Sequence, residues 1–393
     1  MSNNQVFLIS IKEEDIVALR NSINIILRDY KGEVPEELVS DFKLARFIKG
    51  HGANALSAFE RHLLFRQEYN IDKVRNEILE EEKKQGQLKW PYFMEKFKII
   101  LETVWKNIPP AFHHQCSSEY HCVTFTILAN YFFSEITSKN LEELWLELVL
   151  YCDVYFDLVL HRISVKHNTP CSRLDIVDVT GLKIKHFGFK TISLLKKMGA
   201  LSQQYPEMIG ATITCNVSKV GLQIWNMVKG WLPKQTESKM KLFTADYLSF
   251  LKKLNVVPSL LPSRLNGSCT CSLCTHYIDK SLLEVCIPAG TLYSSKKIQC
   301  QKGDLLCWEI YENSANLPFW LTYSVSPEEN ESSTRESNLS VTPMEVKGSQ
   351  RCRSSGSVYL EISNEKSWLH SQNVIYALYL EVNYNNISSY EQK

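Results

Sequence analysis

The chain has 393 residues, enough for two or three domains that each bury a core. Lys and Arg number 44 against 43 Asp and Glu, so a net charge of +1 supplies no global field for nucleic acid. With 44% hydrophobic and 11% aromatic residues, the composition excludes a disordered chain.

At the amino terminus, "MSNNQVFLISIKEED" lacks the basic start and the long apolar stretch of a signal peptide. No uncharged run reaches membrane-span length, and the best stretch, His121 to Ser134, is core-sized. The chain is therefore expected to be cytosolic. Its twelve Cys stand mostly singly in apolar segments such as "ATITC" and "LLCWEI", the pattern of reduced core thiols.

From Pro35 to about Asp72 the pattern is helical, with Phe42, Ala45 and Ile48 on one face and then Leu56, Phe59 and Leu63. "KGHGANA" has the G-x-G-x-x-A shape of a dinucleotide turn through Gly50, Gly52 and Ala55. It comes after Asp41, Lys43, Arg46 and Lys49 at helical spacing instead of a buried strand, so a helix–helix turn is expected. Next, His113 and His114 come after Pro109-Pro110 and are expected on the surface of a polar loop.

Strands are expected at "CVTFTIL" (Cys122 to Leu128), "LDIVDV" (Leu174 to Val179) and "ATITC" (Ala211 to Cys215). Between the first two lies the strongest helix, Leu141 to His161. There Glu142, Glu143, Glu147, Asp153, Asp157 and His161 share one side, and apolar residues such as Trp145, Leu148 and Phe156 cover the rest. This βαβ rhythm predicts an α/β domain with a mostly parallel sheet. "DVTG" (Asp178 to Gly181) imitates a GTPase motif, but no G-x-x-x-x-G-K-[ST] loop accompanies it. Nor is there a G-x-S-x-G elbow or an H-E-x-x-H pair, so no enzyme is expected. Lys183, Lys185, Lys190, Lys196 and Lys197 form one basic cluster, and Lys229, Lys234, Lys239 and Lys241 bracket "GWLP" in another. Such clusters fit either a solvated face or contact with anionic headgroups beside Trp231 and Leu232.

After Leu265 the period changes to two, in "LLCWEIY" (Leu305 to Tyr311), "FWLTYS" (Phe319 to Ser324), "SVYLEIS" (Ser357 to Ser363) and "VIYALYLEVNY" (Val374 to Tyr384), which predicts an all-β sandwich. Ser326 to Gly356 is polar and is expected to be a flexible insert. The run "CTCSLCTH" offers Cys269, Cys271, Cys274 and His276 as four soft donors within eight residues; its span is short for a zinc knuckle, so it is read as a connector carrying thiols, with zinc as the alternative and no cofactor assigned. The expected divisions are a helical region over 1–90, an α/β domain over 91–265, a connector over 266–290 and a sandwich over 291–385.

These stretches together resemble the CRAL-TRIO lipid-transfer proteins, specifically members with a C-terminal GOLD (Golgi dynamics) domain. "LARFIKGHGANALSAFERHLLFRQEYNID" is similar to the family's helical lead-in, and "LDIVDVTGLKIKHF" to its strand with D-x-x-G-L at the end. "YPEMIGATITCNVSKVGLQIWNMVKGWLPKQTESKM" is similar without a gap to the family's Y-P-E strand and the gate segment after it. "KGDLLCWEIYENSANLPFWLTYS" with "SVYLEISNEKSWLHSQNVIYALYLEV" resembles the GOLD sandwich.

The resemblance implies an apolar pocket for one lipid, phosphatidylinositol or an isoprenoid-like molecule, under a mobile gate helix, with Val220, Ile224, Trp225, Val228, Trp231 and Leu232 in the gate and Lys229 and Lys234 at the membrane. It also implies an inositol headgroup near Glu207, Thr236 and Lys239, and puts Tyr151, Arg173 and Asp175 at positions that line the headgroup site in relatives. Charges at Arg173 and Asp175 argue against a choline pocket of the family's usual form. His51 stands where a basic residue is usual, and Asn216-Val217-Ser218 replaces the Asn-Ala-Pro after the gate strand. The implied partners are a lipid, transiently a membrane surface, and a protein bound through the GOLD domain, with no nucleic acid. The implied location is the cytosol with peripheral association at Golgi or endosomal membranes. A second reading stays open, an adaptor with a degenerate pocket that recruits proteins to those membranes.

Overall fold

A computed structural model describes residues 11–30, 33–106, 108–114, 121–182, 188–231, 234–269, 274, 282–313, 317–325, 334–339, 346–352 and 355–381. The chain divides into two compact units, residues 1–257 and 258–393.

The first unit opens with helices α1 (Glu13–Ile26), α2 (Glu36–Val39), α3 (Asp41–His51), α4 (Ala55–Glu68) and α5 (Ile71–Gln85). Ser40 caps α3, its hydroxyl accepting from the Lys43 N–H at 3.2 Å. Gly86 closes α5 in the left-handed region, φ 75°. Instead of the stripe Phe42, Ala45 and Ile48, α3 buries the whole run Lys43 to Phe47, and Phe42 and Ile48 are only half-buried. The charged members of that run are buried because partners wait for them. Lys43 Nζ donates to Asp157 at 2.6 Å, and Arg46 donates to the Cys171 carbonyl at 2.9 Å and the Ser164 hydroxyl at 3.2 Å.

Next come α6 (Lys98–Thr103), β1 (Ala111–His114), β2 (His121–Ile127), α7 (Phe133–Ser138), α8 (Glu142–His167), β3 (Ser172–Asp178), α9 (Phe189–Ser202), β4 (Ile209–Cys215), α10 (Lys219–Val228), α11 (Lys234–Lys239), β5 (Met240–Leu242) and α12 (Tyr247–Lys253). The sheet order is β1-β2-β3-β4-β5, with β1 antiparallel to β2 and the remaining pairs parallel. The mostly parallel sheet is thus present, and its crossovers are helical as parallel pairing requires.

Strand β1 overturns the expected histidine loop: His113 and His114 are both buried. His113 Nδ1 lies 2.7 Å from the Tyr155 hydroxyl and its Nε2 3.0 Å from Cys122 Sγ, so both ring nitrogens are satisfied inside. Around α8 lies a core rich in large rings, including Trp90, Trp105, Trp145, Tyr155 and Phe156. Trp90 meets Tyr155 at 5.2 Å and Phe156 at 5.4 Å edge to face, and Trp105 meets Trp145 at 5.5 Å.

The second unit is all-β: β6 (Leu283–Ile287), β7 (Leu292–Ser294), β8 (Ile298–Cys300), β9 (Leu305–Asn313), β10 (Phe319–Val325), β11 (Thr334–Leu339), β12 (Val346–Arg351), β13 (Gly356–Ser363) and β14 (Gln372–Glu381). One sheet runs β11-β10-β13-β7 with β8 also on β13, and the other runs β12-β9-β14-β6. Alternate residues of both sheets, among them Leu306, Ile310, Leu321, Leu360, Val374 and Tyr376, make one apolar core. Two strands, β11 and β12, fall inside 326–356, where a flexible insert was expected. They are edge strands, so backbone pairing on one side holds them although their sequences are polar. β6 lies in the stretch read as connector and pairs with β14.

Candidate functional site

The segment Tyr205-Pro206-Glu207 leads from α9 into β4. Tyr205 is buried, its ring edge-on to His62 at 5.3 Å, with the Lys43 ammonium 5.1 Å from the ring centroid. Pro206 lies against Gly50 of α3 so closely that a Cβ on Gly50 would stand 2.9 Å from Pro206 Cβ. Glycine there lets the two chains meet. Glu207 then adopts φ 57°, a region that a non-glycine residue rarely occupies and that recurs at functional sites.

This backbone turns the Glu207 carboxylate between two lysines. Lys239 Nζ donates to Oε1 at 2.7 Å, and Lys49 Nζ stands 3.3 Å from Oε2. The carboxylate side chain is 4% exposed, Lys239 20% and Lys49 36%. A desolvated carboxylate is costly alone, and two cations on it leave one positive charge in excess, partly open to solvent. Such a site can receive an anion. Thr236 is exposed on α11, one turn before Lys239.

The structure thus brings Glu207 and Lys239 together and adds Lys49, which the sequence did not single out; the available signal was a lysine beside a glycine at the end of α3. His51, on the same turn, is half-buried, and burial with the Arg61 charge lowers its pKa.

Three other headgroup candidates go elsewhere. Arg173 and Asp175 form an ion pair on β3, with Nε 2.9 Å from Oδ1 and Nη2 donating to Oδ2 at 3.4 Å, and their side chains are 14% and 13% exposed. The Arg173 guanidinium lies 4.2 Å from the Phe156 ring centroid. Asp153 of α8 belongs to the same group: it accepts from the Ser202 hydroxyl at 2.9 Å, and burial, partly countered by Arg173, pushes its pKa up to about 6. Tyr151 donates to Glu77 and accepts from Lys96 at 2.5 Å, so it sits in a separate cluster.

The helix expected as a gate is present as α10. Its N-cap is Ser218, whose hydroxyl accepts from the Gly221 N–H at 3.1 Å. The preceding Asn216 has φ 60° and donates to Asp178 at 3.1 Å, which ties the turn before α10 to the end of β3. Asp178 also accepts from the Thr180 N–H at 2.9 Å, which makes "DVTG" a turn at the end of β3. Of the residues expected at the gate and the membrane, Trp225 and Lys229 are half-buried and Lys234 is exposed. The side chains of Val220, Ile224, Val228 and Trp231, and residue Leu232, lie outside the described residues, as do Cys271 and His276.

A cleft of about 810 Å³ opens between α4, α8 and α9, lined by Leu64, Phe65, Leu146, Leu150 and Leu201 with Lys197 and Glu147 among its charged residues. None of the headgroup candidates lines it. Among the described residues no helix is long and apolar enough to cross a membrane.

The family model described as the CRAL/TRIO domain matches residues 147–267. A phosphatidylinositol/phosphatidylcholine transfer protein of Arabidopsis thaliana is 31% identical over 102 residues, which cover 26% of this chain and 27% of that protein. The Sec14 cytosolic factor of Schizosaccharomyces pombe is 23% identical over 248 residues, 60% of this chain and 77% of that protein. The match to the plant relative therefore spans about a quarter of its length. A solved structure, the crystal structure of Sfh5, aligns at TM-score 0.39 and 14% identity over 62% of this chain and 80% of that one, a likeness too weak to bear on the fold.

Proposed function

We propose, from the premise that residues 147–267 belong to the CRAL/TRIO domain family, that this chain binds one phospholipid and carries it between membranes, with the phosphate of a phosphatidylinositol-like headgroup received at Lys49 and Lys239. The observation that carries this reading is the Glu207 carboxylate held between two partly exposed lysines at the entry to β4. A lipid phosphate fits the surplus charge, and charge-assisted hydrogen bonds from the ammonium groups hold it. Leaving a bilayer costs about 0.8 kcal/mol per methylene, so the acyl chains need an apolar pocket behind a gate, the role assigned to α10. No bond is broken. The second unit, read as a GOLD-type sandwich, serves as the docking module for a protein or membrane partner at Golgi or endosomal surfaces.

The adaptor reading has one specific observation in its favour. Arg173 and Asp175, at positions the resemblance assigns to the headgroup, pair with each other, and Arg173 also lies over the Phe156 ring. Native mass spectrometry of the full chain after incubation with phosphatidylinositol vesicles separates the two. The carrier gains one lipid mass, and a Lys49→Ala, Lys239→Ala double variant transfers phosphatidylinositol at least about tenfold more slowly, equivalent to about 1.4 kcal/mol. A chain that stays empty and transfers nothing is an adaptor.

A further inference from the structure

Within the second unit, the stretch leading to "CTCSLCTH" is built more tightly than a linker requires. Three successive N–H groups turn back on residues 258–262: Gly267 donates to Pro262 O at 3.0 Å, Ser268 to Pro258 O at 2.8 Å and Cys269 to Leu261 O at 2.9 Å. Position 267 admits no side chain, because a Cβ there would stand 1.9 Å from the Leu261 carbonyl oxygen. The backbone of Cys269 is thereby fixed. Cys269 is half-buried and Cys274 buried, both as thiols, and their sulfur atoms lie within 4.8 Å of one another.

Two thiolates on one tetrahedral zinc, each about 2.3 Å from the metal, stand about 3.8 Å apart. The pair needs to close by at most about 1 Å to reach that spacing. We propose that Cys269 and Cys274 bind a soft divalent cation, zinc, through their thiolates. Cys271 and His276 are the further soft donors in "CTCSLCTH". Sulfur selects zinc over magnesium and calcium, which take oxygen ligands. Binding releases one proton from each ligating thiol, so affinity falls as pH falls. The ion would clamp the start of the second unit, a structural role with no open catalytic position.

The test is elemental analysis of the full chain purified without chelator. About one zinc per chain is expected, retained in a Cys286→Ser control, whose thiol is exposed elsewhere on β6, and lost in the Cys269→Ser, Cys274→Ser double variant. If that variant does not fold, cobalt substitution of the unaltered chain decides: a thiolate-to-cobalt charge-transfer band supports the site and its absence overturns it. No zinc after dialysis against zinc, zinc retained by a folded double variant, or a Cys269–Cys274 disulfide in freshly purified protein each overturns it as well. Single Cys271→Ser and His276→Ala variants that lower zinc content add those residues to the ligand set. These readouts involve no lipid and stand or fall apart from the transfer reading.

Discussion

Two clusters of opposite charges stand side by side in the first unit and solve the same problem differently. Arg173 on β3 and Glu207 just before β4 are near neighbours, since the Arg173 N–H donates to the Met208 carbonyl at 2.8 Å. At Glu207 one acid meets two lysines that reach solvent, so the surplus is positive and available. Around Arg173 one cation meets Asp175 and Asp153 away from solvent, so the surplus is negative and has nowhere to go except onto a proton. The difference lies in exposure and stoichiometry, not in residue type. An open cluster with a spare cation can receive an anion, whereas a closed one with spare acids resists an extra anion.

The sharpest way to break that contrast is to remove one cation from each cluster. Arg173→Met strands two interior carboxylates and is expected to cost about 3–5 kcal/mol in urea unfolding at neutral pH. Lys49→Met leaves Glu207 its bond to Lys239 and removes a side chain 36% exposed, so it should cost no more than about 1 kcal/mol. Equal losses would mean that the two clusters do not differ in the way described.

A smaller effect separates them by pH. Asp153 titrates at about 6 in the folded chain against 3.8 for the ordinary group. Between those values the folded state holds the extra proton, so this group's contribution makes the fold less stable as pH rises through that window. His113 has the opposite slope. Burial, with His114 and Arg173, lowers it to about 3 from 6.5, so the unfolded chain takes the proton first and stability falls as pH falls below about 6.5. Comparing Asp153→Asn with the unaltered chain cancels the histidine. The variant should gain about 2 kcal/mol relative to the parent on going from pH 4 to pH 7. A difference that does not change with pH would mean that Asp153 is not desolvated.

Legibility in the sequence divides along the same line, between local and distant causes. The apolar strands β2, β3 and β4 declare themselves because their neighbours on both sides are strands. β1 does not, since His113 is buried by Tyr155, 42 residues away. β11 and β12 look like loop because edge strands need no apolar faces. Asp153 and Asp157 lie on the polar side of α8 by spacing, and spacing cannot distinguish water from Lys43, 114 residues distant from Asp157. Likewise Glu207 and Lys239 were found through a family motif, whereas Lys49 joins them only because α3 packs against Pro206.

The smallest expected effect tests whether the lysines of the first unit divide their labour. Lys229 directly after α10 is half-buried and Lys234 at the start of α11 is exposed, whereas Lys49 and Lys239 are engaged by Glu207. Near an anionic surface each lysine contributes about 1 kcal/mol, screened within a Debye length. A Lys229→Ala, Lys234→Ala variant should therefore sediment less with phosphatidylserine-rich vesicles by about 2 kcal/mol at low salt, with the deficit vanishing as salt rises. Lys49→Ala, which leaves Glu207 its bond to Lys239 and removes only the one surplus charge of that cluster, should lower the sedimentation by no more than about 1 kcal/mol. If this single variant loses vesicle binding as fully as the Lys229→Ala, Lys234→Ala variant, Lys49 belongs to the membrane face and not to a headgroup site.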